Sequence, residues 1–332
     1  VKESIVSTKN LVKHFPVKQT LLGNPGQFIY AVNGVDLELR KGKTTGLVGE
    51  SGCGKTTIGH LITGLEKPDS GEVLFKGKPI WEKIIKDRKV FSREIQIVFQ
   101  NPFGALNPRK KIYHVFKEVL KVHGIVPKEK VEDKIVELLK TVAVPVDSIN
   151  HYPFEFSGGQ RQRLCIARSL TLEPEILICD EPVSALDVSV QSQILKLLKE
   201  LQIKFQLTYL FISHDLSVIY HMCDYIYVMY LGKIMEEGAV DDIFNNPQHP
   251  YTEALLSAIP LPDPTSKQNR IILRGEIPNP TQLPSGCFFY SRCFKRMDIC
   301  HKNHPPLFKF SHSHFSRCWL SESKTGSYRN HP

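Results

Sequence analysis

The chain has 332 residues, 41% hydrophobic and 23% charged, a length beyond what one hydrophobic core normally serves. This balance excludes disorder over most of the chain. No apolar run approaches the ~20 residues that span a bilayer, and the opening Val1-Lys2-Glu3-Ser4 lacks a signal peptide's apolar stretch. The net charge of +9 comes from scattered lysines and arginines, so it reads as solvated surface and no nucleic-acid partner is expected; the densest cluster, 83–93, is interrupted by acidic and apolar residues as in an exposed helix.

In chain order, residues 5–15 and 31–39 alternate as strands around a Gly/Pro-containing loop near Leu22 to Gly26, which predicts an antiparallel N-terminal sheet. Residues 44–48 read as a short buried strand and 57–64 as a helix. Between them Gly49-Glu50-Ser51-Gly52-Cys53-Gly54-Lys55-Thr56 fits G-x-x-x-x-G-K-[ST], in which glycines let successive backbone N–H groups curl around an anion at a helix N-terminus. Lys55 is expected to reach the β- and γ-phosphates of ATP and Thr56 to ligate Mg2+, with Gly49, Ser51, Gly52, Cys53, Gly54 and Thr57 completing the phosphate cradle.

Residues 72–75, with the turn Lys76-Gly77-Lys78, form another expected hairpin, and 95–99 an apolar strand ending in Gln100. Apolar residues at helical spacing over 113–123 and 128–142 predict a helical insertion, a subdomain of about 101–170. It closes on Phe156-Ser157-Gly158-Gly159-Gln160, where Ser157 suits the N-cap of a helix over 158–170 that turns a hydroxyl, free N–H groups and a positive dipole end toward an anion. Residues 175–179 and 208–213 are nearly continuous apolar runs, as in strands buried on both faces of a parallel sheet, with a crossover helix over 190–201. Asp180 and Glu181 follow the first run and His214 the second. Ligands of such α/β sheets lie beyond the carboxyl ends of the strands, where all these motifs fall.

Together these fragments resemble the nucleotide-binding subunit of an ATP-binding cassette (ABC) transporter over the first ~240 residues, with Ser157-Gly158-Gly159-Gln160 similar to the family's signature sequence. The resemblance implies a P-loop ABC fold with a parallel core sheet, an antiparallel β subdomain and a helical subdomain. It also implies a head-to-tail dimer, homo- or heteromeric, in which each signature helix caps the γ-phosphate on the partner's loop. Asp180 would hold Mg2+ or its waters, Glu181 would act as general base, Gln100 would touch Mg2+ and sense the γ-phosphate, and His214 would contact that phosphate. Ser184-Ala185-Leu186-Asp187 matches the loop crossing the dimer interface. Phe15 occupies the family's adenine-stacking place, with Tyr30 as second choice; for either ring the alternative is simple packing of the N-terminal sheet.

Asn101-Pro102-Phe103 through Leu106-Asn107-Pro108-Arg109, and Asn246-Pro247-Gln248-His249-Pro250-Tyr251-Thr252, resemble segments of the oligopeptide/dipeptide importer ATPases; the second also reads as a helix start with Pro250 at its first position. This implies two membrane-spanning permease subunits, an extracytoplasmic substrate-binding protein acting indirectly, and a peripheral place on the cytoplasmic face of the membrane. Relatives in the branch carry nickel or oligosaccharides, so cargo stays open. A soluble ABC ATPase of DNA repair or translation is the rival. The chain lacks the coiled-coil heptads of the former and the second cassette of the latter.

Composition changes near Phe244: eleven of the 22 prolines lie from Pro247 onward, dividing the chain into 1–244 and 245–332. Cys287, Cys293, Cys300 and Cys318 fall in the second part, spaced C-x5-C-x6-C-x17-C, and a reducing compartment disfavours disulfides between them. Four thiolates suit zinc or an iron-sulfur cluster, and the spacing matches neither common pattern. Resemblance to the importer branch implies a 4Fe-4S cluster, while nearby His301, His304, His312 and His314 keep Zn2+ as the alternative. Cys53, Cys165, Cys179 and Cys223 are dispersed and read as non-ligands. A metal-sensing module centred on the cysteine lobe is a third, weaker reading.

Overall fold

The computed structural model describes residues 3–17, 27–260, 270–325 and 328–329; the expected loop at 22–26 lies outside them. The strands in chain order are β1 (Ser4–Pro16), β2 (Phe28–Val35), β3 (Glu38–Arg40), β4 (Thr44–Val48), β5 (Ser70–Phe75), β6 (Lys78–Pro79) and β7 (Ile95–Val98). After the helical insertion come β8 (Ile176–Asp180), β9 (Thr208–Ser213), β10 (Tyr225–Tyr230), β11 (Lys233–Ala239), β12 (Leu307–Lys309), β13 (Phe315–Ser316) and β14 (Tyr328–Arg329).

β1, β2, β3, β5 and β6 make the antiparallel N-terminal sheet in the order β2-β1-β5-β6, with β3 on β1. The single strand expected over 31–39 is two. Gly34 turns with φ +67°, and the Asp36 carboxylate takes the Asn10 N–H at 2.7 Å, so the chain leaves the β1 ladder and rejoins it as β3.

The core sheet runs β10-β4-β9-β8-β7, all parallel. Its strands are buried on both faces because their side chains alternate between two hydrophobic cores. Leu47, Ile176, Ile178, Leu210 and Ile212 join the core shared with the N-terminal sheet and helix Lys55–Ile62. Val48, Leu177, Cys179, Tyr209 and Phe211 join the core shared with the helical insertion. Burial of Ile112, Val115, Phe116 and Leu120 on one helix and of Val131, Ile135, Leu138 and Leu139 on the next follows the helical spacing.

Past Phe244 the chain stays on the core-sheet body. β11 pairs antiparallel with β10, and β13 then caps the exposed ladder of β11 through Glu236↔Ser316 and Glu237↔Phe315, with β12 and β14 beyond it. Tyr251, Phe288 and Phe289 are buried in the same core as the helical insertion.

Candidate nucleotide site

The phosphate loop connects β4 to helix Lys55–Ile62, which starts two residues earlier than the spacing suggests, directly at the lysine. Two glycines are required by contact. A Cβ at Gly49 would lie 2.1 Å from the Met229 carbonyl, and one at Gly54, where φ is +108°, would lie 2.0 Å from the Ala31 carbonyl, so β2 borders the loop. Lys55 is buried, and its Nζ donates to the carbonyls of Gly49 (2.8 Å) and Glu50 (3.0 Å). The Thr56 hydroxyl donates to Asp180 Oδ1 at 3.2 Å. Asp180 ends β8 almost completely buried, and desolvation pushes its carboxyl up despite the Thr56 hydrogen bond. A hydroxyl beside a desolvated carboxylate fits a hard divalent cation, whose charge would offset that burial.

Glu181 holds a left-handed backbone, φ +45°, which a non-glycine adopts at a cost. Its N–H donates to the Ile212 carbonyl at 2.9 Å, which ties it to β9. The turn aims the carboxylate at two partners: Gln100 Nε2 donates to Oε2 at 2.7 Å, and His214 Nδ1 lies 3.0 Å from Oε1. Gln100, at the end of β7, and His214, after β9, thus meet at the residue between them in the sheet. Val48, Gly49, Glu50, Ser51, Gln100, Glu181 and His214 line one cavity of about 440 Å³, together with Leu216 and Leu255. A larger cleft of about 750 Å³ lies between β1, β10 and the C-terminal strands and contains none of these motif residues.

Ser157 caps helix Gly158–Leu170, whose bounds agree with the expected ones, through a reciprocal box: Gln160 N–H donates to Ser157 Oγ (3.3 Å) and Ser157 N–H to Gln160 Oε1 (3.0 Å). Ser157 is exposed and the four signature residues do not line the cavity of their own chain. Asp187, exposed, precedes helix Val188–Phe205 and is likewise outside the cavity. Phe15 is half-buried with the Lys13 ammonium 5.3 Å from its ring centre, and Tyr30 meets His14 edge-on at 4.5 Å. Neither ring lines the cavity.

Two residues outside the predicted set reach this site from the C-terminal region. The Tyr251 hydroxyl accepts the Glu50 N–H at 2.9 Å, and Arg292 forks onto the Glu50 carboxylate at 2.6 and 3.0 Å. The only local signals were position 251 within the importer-like segment and position 292 beside Cys293. In that segment His249 caps helix Pro250–Leu256 by accepting the Tyr251 N–H at Nδ1, 3.0 Å, and Glu236 takes the N–H groups of Gln248 and His249. It is therefore a built structural joint, as the helix-start reading expects.

The four late cysteines share one lobe, with Cys287, Cys300 and Cys318 buried and Cys293 half-buried. Burial first, and then the neighbouring cysteines, push the Cys287 and Cys318 thiols up to about 12, Cys300 and Cys293 acting on Cys287 and all three others on Cys318. The lobe therefore gathers them. A single zinc ion would need each sulfur ~2.3 Å from one point. Among the described residues no group of three or more His, Cys, Asp or Glu side chains is set to hold a metal ion, so the expectation of a metal site finds no support in this arrangement. Among them, too, no helix is long and apolar enough to cross a membrane.

Comparison with known proteins shows the family. The ABC transporter family matches residues 32–184, and the family described as the oligopeptide/dipeptide transporter C-terminal region matches 235–300. The chain is 46% identical over 325 residues to the oligopeptide transport ATP-binding protein AppF of Bacillus subtilis, covering 96% of this chain and 98% of that one. It is 45% identical over 307 residues to the dipeptide transport ATP-binding protein DppF of Escherichia coli, covering 92% of each. A dimeric post-hydrolysis structure of the ATP-binding cassette MJ0796 bound to ADP and Pi matches with a TM-score of 0.60 and 28% identity, over 71% of this chain and 98% of that one. The chain belongs to the ABC transporter ATPases, in their oligopeptide/dipeptide branch.

Proposed function

We propose that this protein is the ATP-hydrolysing subunit that powers import of di- or oligopeptides through an ABC transporter. The observation that carries the reading is one cavity lined by Gly49, Glu50 and Ser51 at the start of the phosphate loop together with Gln100, Glu181 and His214, in a chain 46% identical along nearly its whole length to an oligopeptide transport ATP-binding protein. Gly49, Ser51, Gly52, Cys53, Gly54, Lys55, Thr56 and Thr57 hold the triphosphate, and Thr56, Asp180 and Gln100 hold Mg2+, which supplies charge neutralisation at the phosphates when bound. Glu181 takes a proton from the attacking water, with His214 and Gln100 fixing its two oxygens. Phe15 stacks on adenine.

The exposed, capped signature helix supports a head-to-tail dimer with a second ATPase subunit, Ser157, Gly158, Gly159 and Gln160 closing the partner's site and Asp187 lying at the interface. On this reading residues 1–244 are the ATPase domain and 245–332 the importer-type region. The subunit lies peripherally at the cytoplasmic face of the membrane, below two permease subunits that an extracytoplasmic binding protein supplies. Closure on ATP and reopening after hydrolysis reach the permeases through the helical insertion. Cys287, Cys293, Cys300 and Cys318 would hold a 4Fe-4S cluster, which would supply a covalent staple to the lobe. Nickel or oligosaccharide import would use the same machinery.

Affinity capture of the tagged subunit from its native membranes tests the reading. Two permeases genetically or physically linked to a peptide-binding protein are the expected companions; ribosomes or DNA-repair proteins instead would overturn it.

A further inference from the structure

Glu50 is held by every polar group it has. Its N–H donates to the Tyr251 hydroxyl at 2.9 Å, its carbonyl accepts from Lys55 Nζ at 3.0 Å, and its carboxylate takes both Nη atoms of Arg292 at 2.6 and 3.0 Å. Arg292 lies 242 residues away, with its side chain 9% exposed. It is itself fixed. Nη1 also reaches the Tyr230 hydroxyl at 3.4 Å, and the Tyr230, Tyr251 and Phe289 rings pack against one another at 4.8–5.3 Å between centres. The backbone that presents it is the turn between Cys287 and Cys293, tied down by Cys287 N–H on the Cys300 carbonyl and Tyr290 N–H on the Cys287 carbonyl.

Glu50 also brings a charge to the cavity it borders. The loop must receive a polyanion, yet the residue after its first glycine carries a carboxylate, 24% exposed, that lines the same cavity. Alone, that charge would repel a triphosphate a few ångströms away and leave the loop backbone without its side-chain anchor. A bidentate guanidinium cancels the charge and sets the direction of the side chain at once, which a lysine's point charge does not.

We propose that Arg292 is a positioning residue for the phosphate loop: the cysteine lobe, through Arg292, neutralises Glu50 and holds the loop open for ATP. The proposal rests on the reading of that loop as the ATP site and adds a long-range determinant of its affinity. The state of the lobe is thereby linked to nucleotide binding.

The test is titration of a fluorescent ATP analogue with Mg2+ into the full-length wild type, Arg292→Gln, Arg292→Lys, the Arg292→Gln/Glu50→Gln double variant, and Lys55→Ala. Thermal melting is followed in parallel. Arg292→Gln should weaken binding at least 10-fold, Arg292→Lys less, and adding Glu50→Gln to Arg292→Gln should restore at least half of the loss on a logarithmic scale. Rescue by removing a carboxylate reports charge in the loop, which a role confined to folding the lobe would not produce. Wild-type affinity in Arg292→Gln, or a double variant as weak as that single one while Arg292→Lys stays folded and equally weak, overturns the proposal. If wild type binds the analogue no better than Lys55→Ala, the ATP-site reading itself fails, and the proposal with it.

Discussion

His214 Nδ1 lies 3.0 Å from Glu181 Oε1, joining the residue after β9 to the one after β8. With Gln100 on Oε2 the carboxylate is fixed at both oxygens, and its left-handed backbone leaves it little freedom to turn elsewhere. A carboxylate so held is already oriented before any substrate arrives, which is the property the proposed general base needs.

Glu181→Gln keeps the shape of that contact and removes the basic oxygen. Phosphate release should fall roughly 10²–10⁴-fold while ATP-analogue affinity changes little, and ATP should drive a lasting dimer visible by solution scattering. Wild-type-like hydrolysis in this variant would remove Glu181 from the mechanism.

His214→Ala should lower turnover by about 10²-fold or more. Because the two side chains act as one unit, combining it with Glu181→Gln should cost little beyond Glu181→Gln alone. Additive losses, measured by phosphate release under saturating ATP, would mean that they work separately.

Ser157→Ala removes the cap of helix Gly158–Leu170 and the exposed hydroxyl together. Melting should report a loss of about 1 kcal/mol. In the Glu181→Gln background, ATP-driven dimerisation should weaken far more than that, since in the proposed head-to-tail dimer the same hydroxyl would face the partner's nucleotide. A dimer as stable as with serine would contradict the head-to-tail arrangement.

His249 is fully buried and accepts the Tyr251 N–H, so it is held neutral, and desolvation lowers its pKa to about 3 from 6.5. The folded state resists protonation that the unfolded chain accepts. The resulting stability is present above pH 6.5 and is lost as pH falls toward 3, by up to about 10-fold in the folding equilibrium per pH unit. His249→Asn, which can still cap, should flatten that acid limb in urea or thermal titrations.

The proposed cluster in the cysteine lobe has a spectroscopic consequence. Protein purified without oxygen should be brown, absorb in the visible blue and contain iron and sulfide, and Cys300→Ser should bleach it and lower its melting temperature. Colourless protein that releases zinc would exclude the cluster.

Much of this molecule could be read from runs of neighbouring residues. Strands at residues 44–48 and 208–213 and the helix at 158–170 agree with the structure at both ends, because burial on two faces and an N-cap box are written in contiguous side chains. The phosphate loop is legible for the same reason: its chemistry comes from its own backbone. Where the reading stopped, the information was no longer local. Nothing near Asp36 announces the break between β2 and β3, since it depends on Asn10 across the sheet. Nothing near Arg292 names Glu50, and nothing in the prolines after Phe244 says that β13 will close the edge of β11. The motif residues alone determined the chemistry, whereas folding decided which carboxylates face which cations. A charge pair 242 positions apart exists only once two hydrophobic cores have brought its ends together.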